Sequence, residues 1–195
     1  ANRAGRSVSP LDIVCPLTTP NPMVSEEDAK KAMEWWKLLG VAETKKLRLL
    51  FVGSLSRQFD FKTALEGVRL ASKAGVPVEL VVCGTGEMEK KLRQEFSKDS
   101  SIVFAGWIDY AQYKTLAEMS DIALAPYIVT DAFQLSIPNK VVDALSFSLP
   151  VLTPLGGAVG ELIERNQAGW IYKHCQPESV KDVLLCINDN KNIFL

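Results

Sequence analysis

The chain has one histidine, His174, among 195 residues, and its four cysteines (Cys15, Cys83, Cys175 and Cys186) form no C-x-x-C pair. Neither a zinc-ligand spacing nor a thioredoxin-like redox motif is present, so no metal-ligand cluster is expected. Few cysteines without a framework spacing read as reduced thiols of a cytosolic protein. Cys83 lies in an apolar strand pattern and is expected to be a buried free thiol. His174 and Cys175 are neighbours, but adjacent residues on a strand point to opposite faces, so a thiol–imidazole pair is not expected. No apolar run approaches the roughly 20 residues of a membrane span. Charge of one sign is not in excess: 22 Lys and Arg against 23 Asp and Glu leave a net −1. A general nucleic-acid binder would need a basic surplus, so that class is excluded.

What is present suits one globular domain with a terminal arm. Hydrophobic residues make up 47% and charged residues 23%, ordinary for a packed core, and the length buries one without disulfides. Residues 1–24 are polar, carry Pro10, Pro16, Pro20 and Pro22, and read as an extended linker. Residues 25–195 read as the domain. The start, Ala-Asn-Arg-Ala-Gly-Arg, is no signal peptide and has no initiator Met, so the chain is expected to be a fragment.

From Ser25 onward, helix and strand patterns alternate. Ser25 and Asp28 form a capping pair for a helix whose Ala29, Ala32, Met33, Trp36 and Leu39 share a face, closed by Gly40. The Trp35–Trp36 pair is read as docking that helix on its own core rather than as a sugar-stacking platform. Strands are expected at Leu47–Val52, Val78–Cys83, Ile102–Ala105, Ile122–Ala125, Val151–Thr153 and Trp170–Tyr172. Between them lie helices begun by Asp60 and Asp109, near Glu87–Lys98, near Pro138–Ser148 and near Val159–Arg165, with a last one from Pro177 to about Asn188. Apolar strands alternating with amphipathic helices predict an α/β fold with a doubly wound parallel sheet. Ligands bind such sheets beyond the carboxyl ends of the strands. Those ends are Gly53-Ser54, Gly84-Thr85-Gly86, Gly106-Trp107, Pro126-Tyr127 and the loop after Thr153. Gly84-Thr-Gly86 is not a dinucleotide fingerprint, because Glu89 stands where the third glycine belongs.

The most informative segment is Ser136-Ile-Pro138-Asn139-Lys140-Val-Val-Asp143, followed by Leu149-Pro150-Val151. Pro138 opens a helix, and Lys140 and Asp143 share a face one turn apart. A cation near unpaired helical N–H groups is a candidate phosphate site, although a surface Lys–Asp pair has the same spacing.

Taken in order, Phe51-Val-Gly53-Ser-Leu, Val82-Cys-Gly84-Thr-Gly86, Phe104-Ala-Gly106-Trp, Ser120-Asp121-Ile-Ala-Leu-Ala-Pro126, Pro138-Asn-Lys140-Val-Val-Asp143-Ala and Gly156-Gly157 with Glu161 resemble the C-terminal half of a retaining group 1 glycosyltransferase. That family has the two-Rossmann-domain architecture called GT-B, and the resemblance runs from about Leu47 to Asn188. It implies a domain that binds a UDP- or GDP-sugar, with Gly53–Arg57 facing the diphosphate and Gly106–Ile108 cradling the base. Trp107 is either a stacking ring or packing. Gly53, Ser54, Gly84, Gly86, Gly106, Trp107, Tyr127, Ser136, Pro138, Asn139 and Asp143 are the implied substrate contacts.

The chain departs from the family at several positions. The usual Arg and Lys of the first loop are Ser54 and Phe59, and Arg57 is either their substitute or an ordinary exposed arginine. Many relatives carry two glutamates across a seven-residue spacer; here those positions are Leu135 and Asp143. A subgroup reading Pro-x-Lys-x-x-Glu fits better, with Asp143 for Glu. In that reading Lys140 meets the phosphate and Asp143 a ribose hydroxyl. Catalysis would then rest on Lys140, with Arg57 and helix amides, stabilising the leaving diphosphate. No Asp-x-Asp motif is present and no metal is expected to be required. The resemblance also implies an absent N-terminal acceptor domain, weak donor binding and no turnover by this chain alone. It places polysaccharide assembly at the inner face of a bacterial membrane, with membrane association through the other domain. Two alternatives stay open: half of a nucleotide-sugar 2-epimerase, expected to need more acids and histidines, and a non-catalytic module that keeps only the fold.

Overall fold

The computed structural model describes residues 22–190; most of the arm expected over 1–24 lies outside them. The elements follow the alternation read from the sequence: α1 (Glu26–Leu38), β1 (Leu47–Val52), α2 (Phe61–Lys73), β2 (Val78–Cys83), α3 (Glu89–Phe96), β3 (Ile102–Gly106), α4 (Tyr110–Glu118), β4 (Ile122–Leu124), α5 (Asp131–Gln134), α6 (Asn139–Ser146), β5 (Val151–Thr153), α7 (Gly157–Asn166), β6 (Gly169–Ile171) and α8 (Pro177–Asp189). Polar caps set the starts. Ser25 accepts from the Asp28 amide at 3.1 Å and Asp60 Oδ1 from the Thr63 amide at 3.2 Å. Asp109 and Gln112 cap each other reciprocally, closing two otherwise orphaned amides.

The strands form one parallel sheet ordered β3-β2-β1-β4-β5-β6. The order reverses between β1 and β4, which pair at Leu49↔Ile122 and Leu50↔Ala123. This reversal is the switch point at which doubly wound sheets open a crevice. β1 and β2 are almost wholly buried, as both-face coverage by helices requires. α2 packs on α8 and α1 on α4. Trp36 is fully buried and donates its indole N–H to the Gln112 carbonyl at 2.9 Å. Trp35 stacks edge-on against it at 4.8 Å, so the tryptophan pair docks α1 as expected. Cys83 is a buried free thiol, and burial pushes its pKa up to about 12.

The short helix α5 is not foreshadowed in the sequence pattern. Thr130 caps it, accepting from the Phe133 amide at 3.3 Å, but four residues are too few to show a helical period. Corrections also concern His174 and Cys175. They occupy a turn after β6, not a strand, and Cys175 has φ +57°. The strand rule that sends neighbours to opposite faces therefore does not operate. Cys175 Sγ lies 3.3 Å from His174 Nδ1, so the thiol–imidazole pair exists. Asp60 joins it, with the three ligand atoms within 4.8 Å of one another. A potential metal-ligand group is thus present where sequence spacing shows none, because Asp60 comes from the far side of the chain.

At the other end of β1, Arg48 is buried and pairs with Glu79 on β2, Nε to Oε2 at 2.7 Å. It also donates to the Met119 carbonyl at 3.2 Å and to the Ala42 carbonyl. Removing one partner of such a pair strands a desolvated charge. Glu79→Ala is expected to lower unfolding stability by about 3 kcal/mol, and a paired Arg48→Met/Glu79→Leu variant by clearly less than the two single losses combined. Chemical denaturation of the wild type, Glu79→Ala, the single variants Arg48→Met and Glu79→Leu and the paired variant checks this.

Candidate functional site

Three strand ends and one helix build the site. A cavity of about 360 Å³ lies over the ends of β1, β2 and β3, lined by Val52, Gly53, Ser54, Gly84, Thr85, Trp107 and Ile108. The loops close tightly because glycines leave no side chain between them. A Cβ on Gly84 would fall 1.9 Å from the Gly53 carbonyl oxygen. Trp107 is 72% exposed at the rim of this cavity, free to cover a planar ligand.

Behind Val52 a smaller cavity of about 70 Å³ is lined by Lys140 and Asp143 of α6, with Leu50, Tyr113, Ala123, Leu124 and Ala144. α6 begins at Asn139, with Pro138 extended just before it (φ −66°, ψ 150°), which suits proline's fixed φ. Lys140 and Asp143 therefore share the first turns of the helix, as their spacing predicts. The Lys140 side chain reaches the end of β1 and donates to the Val52 carbonyl. Its ammonium fills the space where a Gly53 Cβ would stand, 1.8 Å away. Aromatic faces surround it: Nζ lies 4.6 Å from the Phe51 ring centre and 5.4 Å from that of Phe59. Burial lowers the ammonium pKa to about 8, with Asp143 acting in the opposite sense.

The other expected contacts divide. Gly106 ends β3 beside the first cavity with φ +78°, and Gly86 packs over the Leu55 backbone. Tyr127 is 5% exposed and stacks between Phe59 and Phe133, each at 4.7 Å; burial and then Asp143 push its hydroxyl up to about 12. Ser136 and Asn139 are exposed beside α6, and the Ser136 hydroxyl donates to the Ala132 carbonyl at 2.9 Å. Arg57 is 81% exposed and held by Glu87 at 3.1 Å; it lines neither cavity. Phe59, where the resemblance implies a lysine, is core: it bridges to Tyr127 and packs on Phe51 at 5.2 Å. Leu135 is 74% exposed and edges an apolar groove with Ile137, Val142, Leu145 and Leu162.

Two residues at the site escape a reading of strand ends. Phe51 looks like core in sequence but supplies a ring to Lys140. Tyr113 sits between burial and the charge of Asp143, which together raise its pKa. Its only sequence signal is its place on the buried face of α4, three residues before Leu116.

Residues 46–190 match the family described as glycosyl transferases, group 1. The chain belongs to that family. It is 24% identical over 149 residues to the amylovoran biosynthesis glycosyltransferase AmsK of Erwinia amylovora, across 74% of this chain and 37% of that protein. The chain thus spans about a third of the length of the curated relatives it matches. In fold it is similar to Anabaena HepE solved with UDP-glucose, with a TM-score of 0.63 and 20% identity over 86% of this chain and 45% of that one. It is also similar to the C-terminal domain of the group 1 family protein LpcC from Francisella tularensis, with a TM-score of 0.63 and 18% identity over 83% and 84% of the two chains.

The contact between Gly53 and Lys140 is directly testable. Gly53 has φ +146°, a conformation that costs a side chain about 1–3 kcal/mol. Gly53→Ala is expected to lose about that much stability while remaining folded, and to move the Lys140 ammonium off the end of β1. Comparing denaturation with the Lys140 side-chain NMR titration in wild type and variant reads both effects.

Proposed function

We propose that this chain is the donor-binding half of a glycosyltransferase that transfers a sugar from a UDP- or GDP-sugar to a saccharide or lipid-linked acceptor. One observation carries the reading: the half-buried Lys140 ammonium sits at the glycine-lined end of β1, on the same helix face as Asp143, at the switch point of the sheet. Family membership supports it. So does the structure of HepE with UDP-glucose, a protein of the same fold.

In this reading the diphosphate lies across Gly53 and Ser54, where Lys140 exchanges the Val52 carbonyl and aromatic faces for phosphate oxygens. A buried ammonium has lost much of its hydration, so an anion delivered to it interacts strongly. Negative charge grows on the diphosphate as the glycosidic bond breaks, and Lys140 stabilises it. Asp143 accepts from a ribose hydroxyl; one methylene shorter than Glu, it reaches that hydroxyl through water. The base lies against Trp107 and the backbone at Gly106–Ile108. Arg57 contributes only after exchanging Glu87 for phosphate. Transfer proceeds with retention and without a metal ion, the diphosphate being met by Lys140, by helix amides and by Arg57 once it leaves Glu87. The acceptor and any general base come from an N-terminal domain facing the donor across a cleft, so this chain alone turns nothing over. Among the described residues no helix is long and apolar enough to cross a membrane. We place the enzyme in the cytoplasm at the inner face of a bacterial membrane, held there through the other domain.

A specific observation favours a second reading. Phe59 is core and Leu135 is exposed beside an apolar groove, so the site lacks two polar groups that relatives often have. A module that keeps the fold without donor binding would look the same at these positions.

Calorimetric titration of UDP, GDP and their sugar conjugates separates the two. One nucleotide is expected to bind, and Lys140→Ala to weaken it by about 2 kcal/mol, roughly thirtyfold in Kd. Absence of binding to this chain and to the full-length protein would establish the scaffold. The pH dependence follows from the sign of the Lys140 shift. The anion prefers the protonated amine, so UDP-sugar affinity is expected to be flat at neutral pH and to fall as pH rises through about 8. Lys140→Arg, which stays charged, is expected to flatten the profile.

A further inference from the structure

The geometry points to a second site: Asp60, His174 and Cys175 form a binding site for a borderline-soft divalent metal ion, zinc being the natural occupant. None of the three lines either cavity of the donor cleft. The site does not depend on what the donor cleft binds.

The three ligand atoms are gathered within 4.8 Å of one another. His174 Nε2 lies 3.7 Å from Cys175 Sγ and 3.7 Å from Asp60 Oδ2. Bonds of about 2.0 Å to N and O and 2.3 Å to S, at tetrahedral angles, require edges of about 3.3–3.6 Å. Sγ lies nearly equidistant from the two ring nitrogens, so closing the site needs the exposed Cys175 thiol to swing off the imidazole and into line with a nitrogen lone pair.

Unmet polar atoms lie in these segments. Asp60 Oδ2 is buried, facing the His174 ring and the Cys175 thiol without a hydrogen bond of ordinary geometry, and the hydroxyl of Tyr172, two residues before His174, has no hydrogen-bond partner. Tyr172 is 2% exposed. Buried polar atoms without partners are rare in folded proteins. A cation at the centre satisfies the carboxylate directly. With three protein ligands the fourth position is left to water.

The donor set selects the ion. Thiolate and imidazole disfavour Mg²⁺ and Ca²⁺, which take oxygen ligands, and suit Zn²⁺. Cys175 is exposed and the His174 side chain is 33% exposed, so an ion can enter from solvent. On binding, Cys175 becomes a thiolate and its proton leaves to solvent. The ion would clasp the turn after β6 to the start of α2. Asp60 already fixes that start, because Oδ1 caps α2 and its amide donates to the Pro126 carbonyl at 2.7 Å.

The test uses the full chain, reduced and stripped with a chelator, titrated with Co²⁺ and then Zn²⁺. The expected result is one equivalent of Co²⁺ with a thiolate charge-transfer band and four-coordinate visible absorption, displaced by Zn²⁺, with a rise in thermal midpoint that Mg²⁺ does not produce. Cys175→Ser is expected to abolish the band and Cys186→Ser to leave it. Asp60→Asn keeps an equally good helix cap and is expected to weaken binding about tenfold or more. No thiolate band at one equivalent, a band that survives Cys175→Ser, or an affinity unchanged by Asp60→Asn would each overturn the site.

Discussion

The carboxyl ends of β1 and β2 approach so closely that no side chain fits between them, and the rest of the site depends on that approach. Gly84 lies against the Gly53 carbonyl, and Gly53 in turn leaves the opening that the Lys140 ammonium enters. A methyl group at either glycine would part the loops or expel the lysine. Sheet order makes the approach useful. β1 is the strand at which the chain reverses direction across the sheet, so α6 can bring its first turn over the end of β1 from the β4 side. A cation from one half of the sheet thereby reaches a backbone cradle made by the other.

Lys140 sits in balance between opposing effects. Taking an ammonium out of water is costly, and its lowered pKa records that cost. The Phe51 and Phe59 rings and the Val52 carbonyl return part of it. A second lysine at position 59 would repel the first, whereas phenylalanine gives it a ring face. The replacement of an expected cation by Phe59 thus has a physical role: it leaves a single, less hydrated cation at the site. An anion reaching it would meet less competing water than at an exposed lysine.

The fold was legible because its signals are redundant. Each strand of a buried parallel sheet is an apolar run, and Ser25, Asp60 and Asp109 announce helices by cap chemistry. The Lys140–Asp143 pair was legible because helical spacing alone places both side chains on one face. Phe59 was harder to place: family position suggests a ligand contact, whereas its burial depends on Phe51, Phe61 and Tyr127, which are distant from one another in sequence. The aromatic surroundings of Lys140 and the stacking of Tyr127 were hidden for the same reason.

The cluster at Asp60 shows the sharpest form of that limit. Metal motifs in sequence work when ligands lie a few residues apart on one element, and His174 and Cys175 satisfy no such spacing. They meet because Cys175 takes a left-handed conformation that turns its thiol back onto the preceding ring. Asp60 joins them because a doubly wound sheet gathers strand ends from the whole chain onto one edge. The carboxylate divides its two oxygens, one capping α2 and the other facing the imidazole. The residue before it is Phe59, against the Lys140 ammonium. The backbone at 59–60 therefore joins the two clusters directly: whatever fixes Asp60 also fixes the ring that faces the Lys140 ammonium.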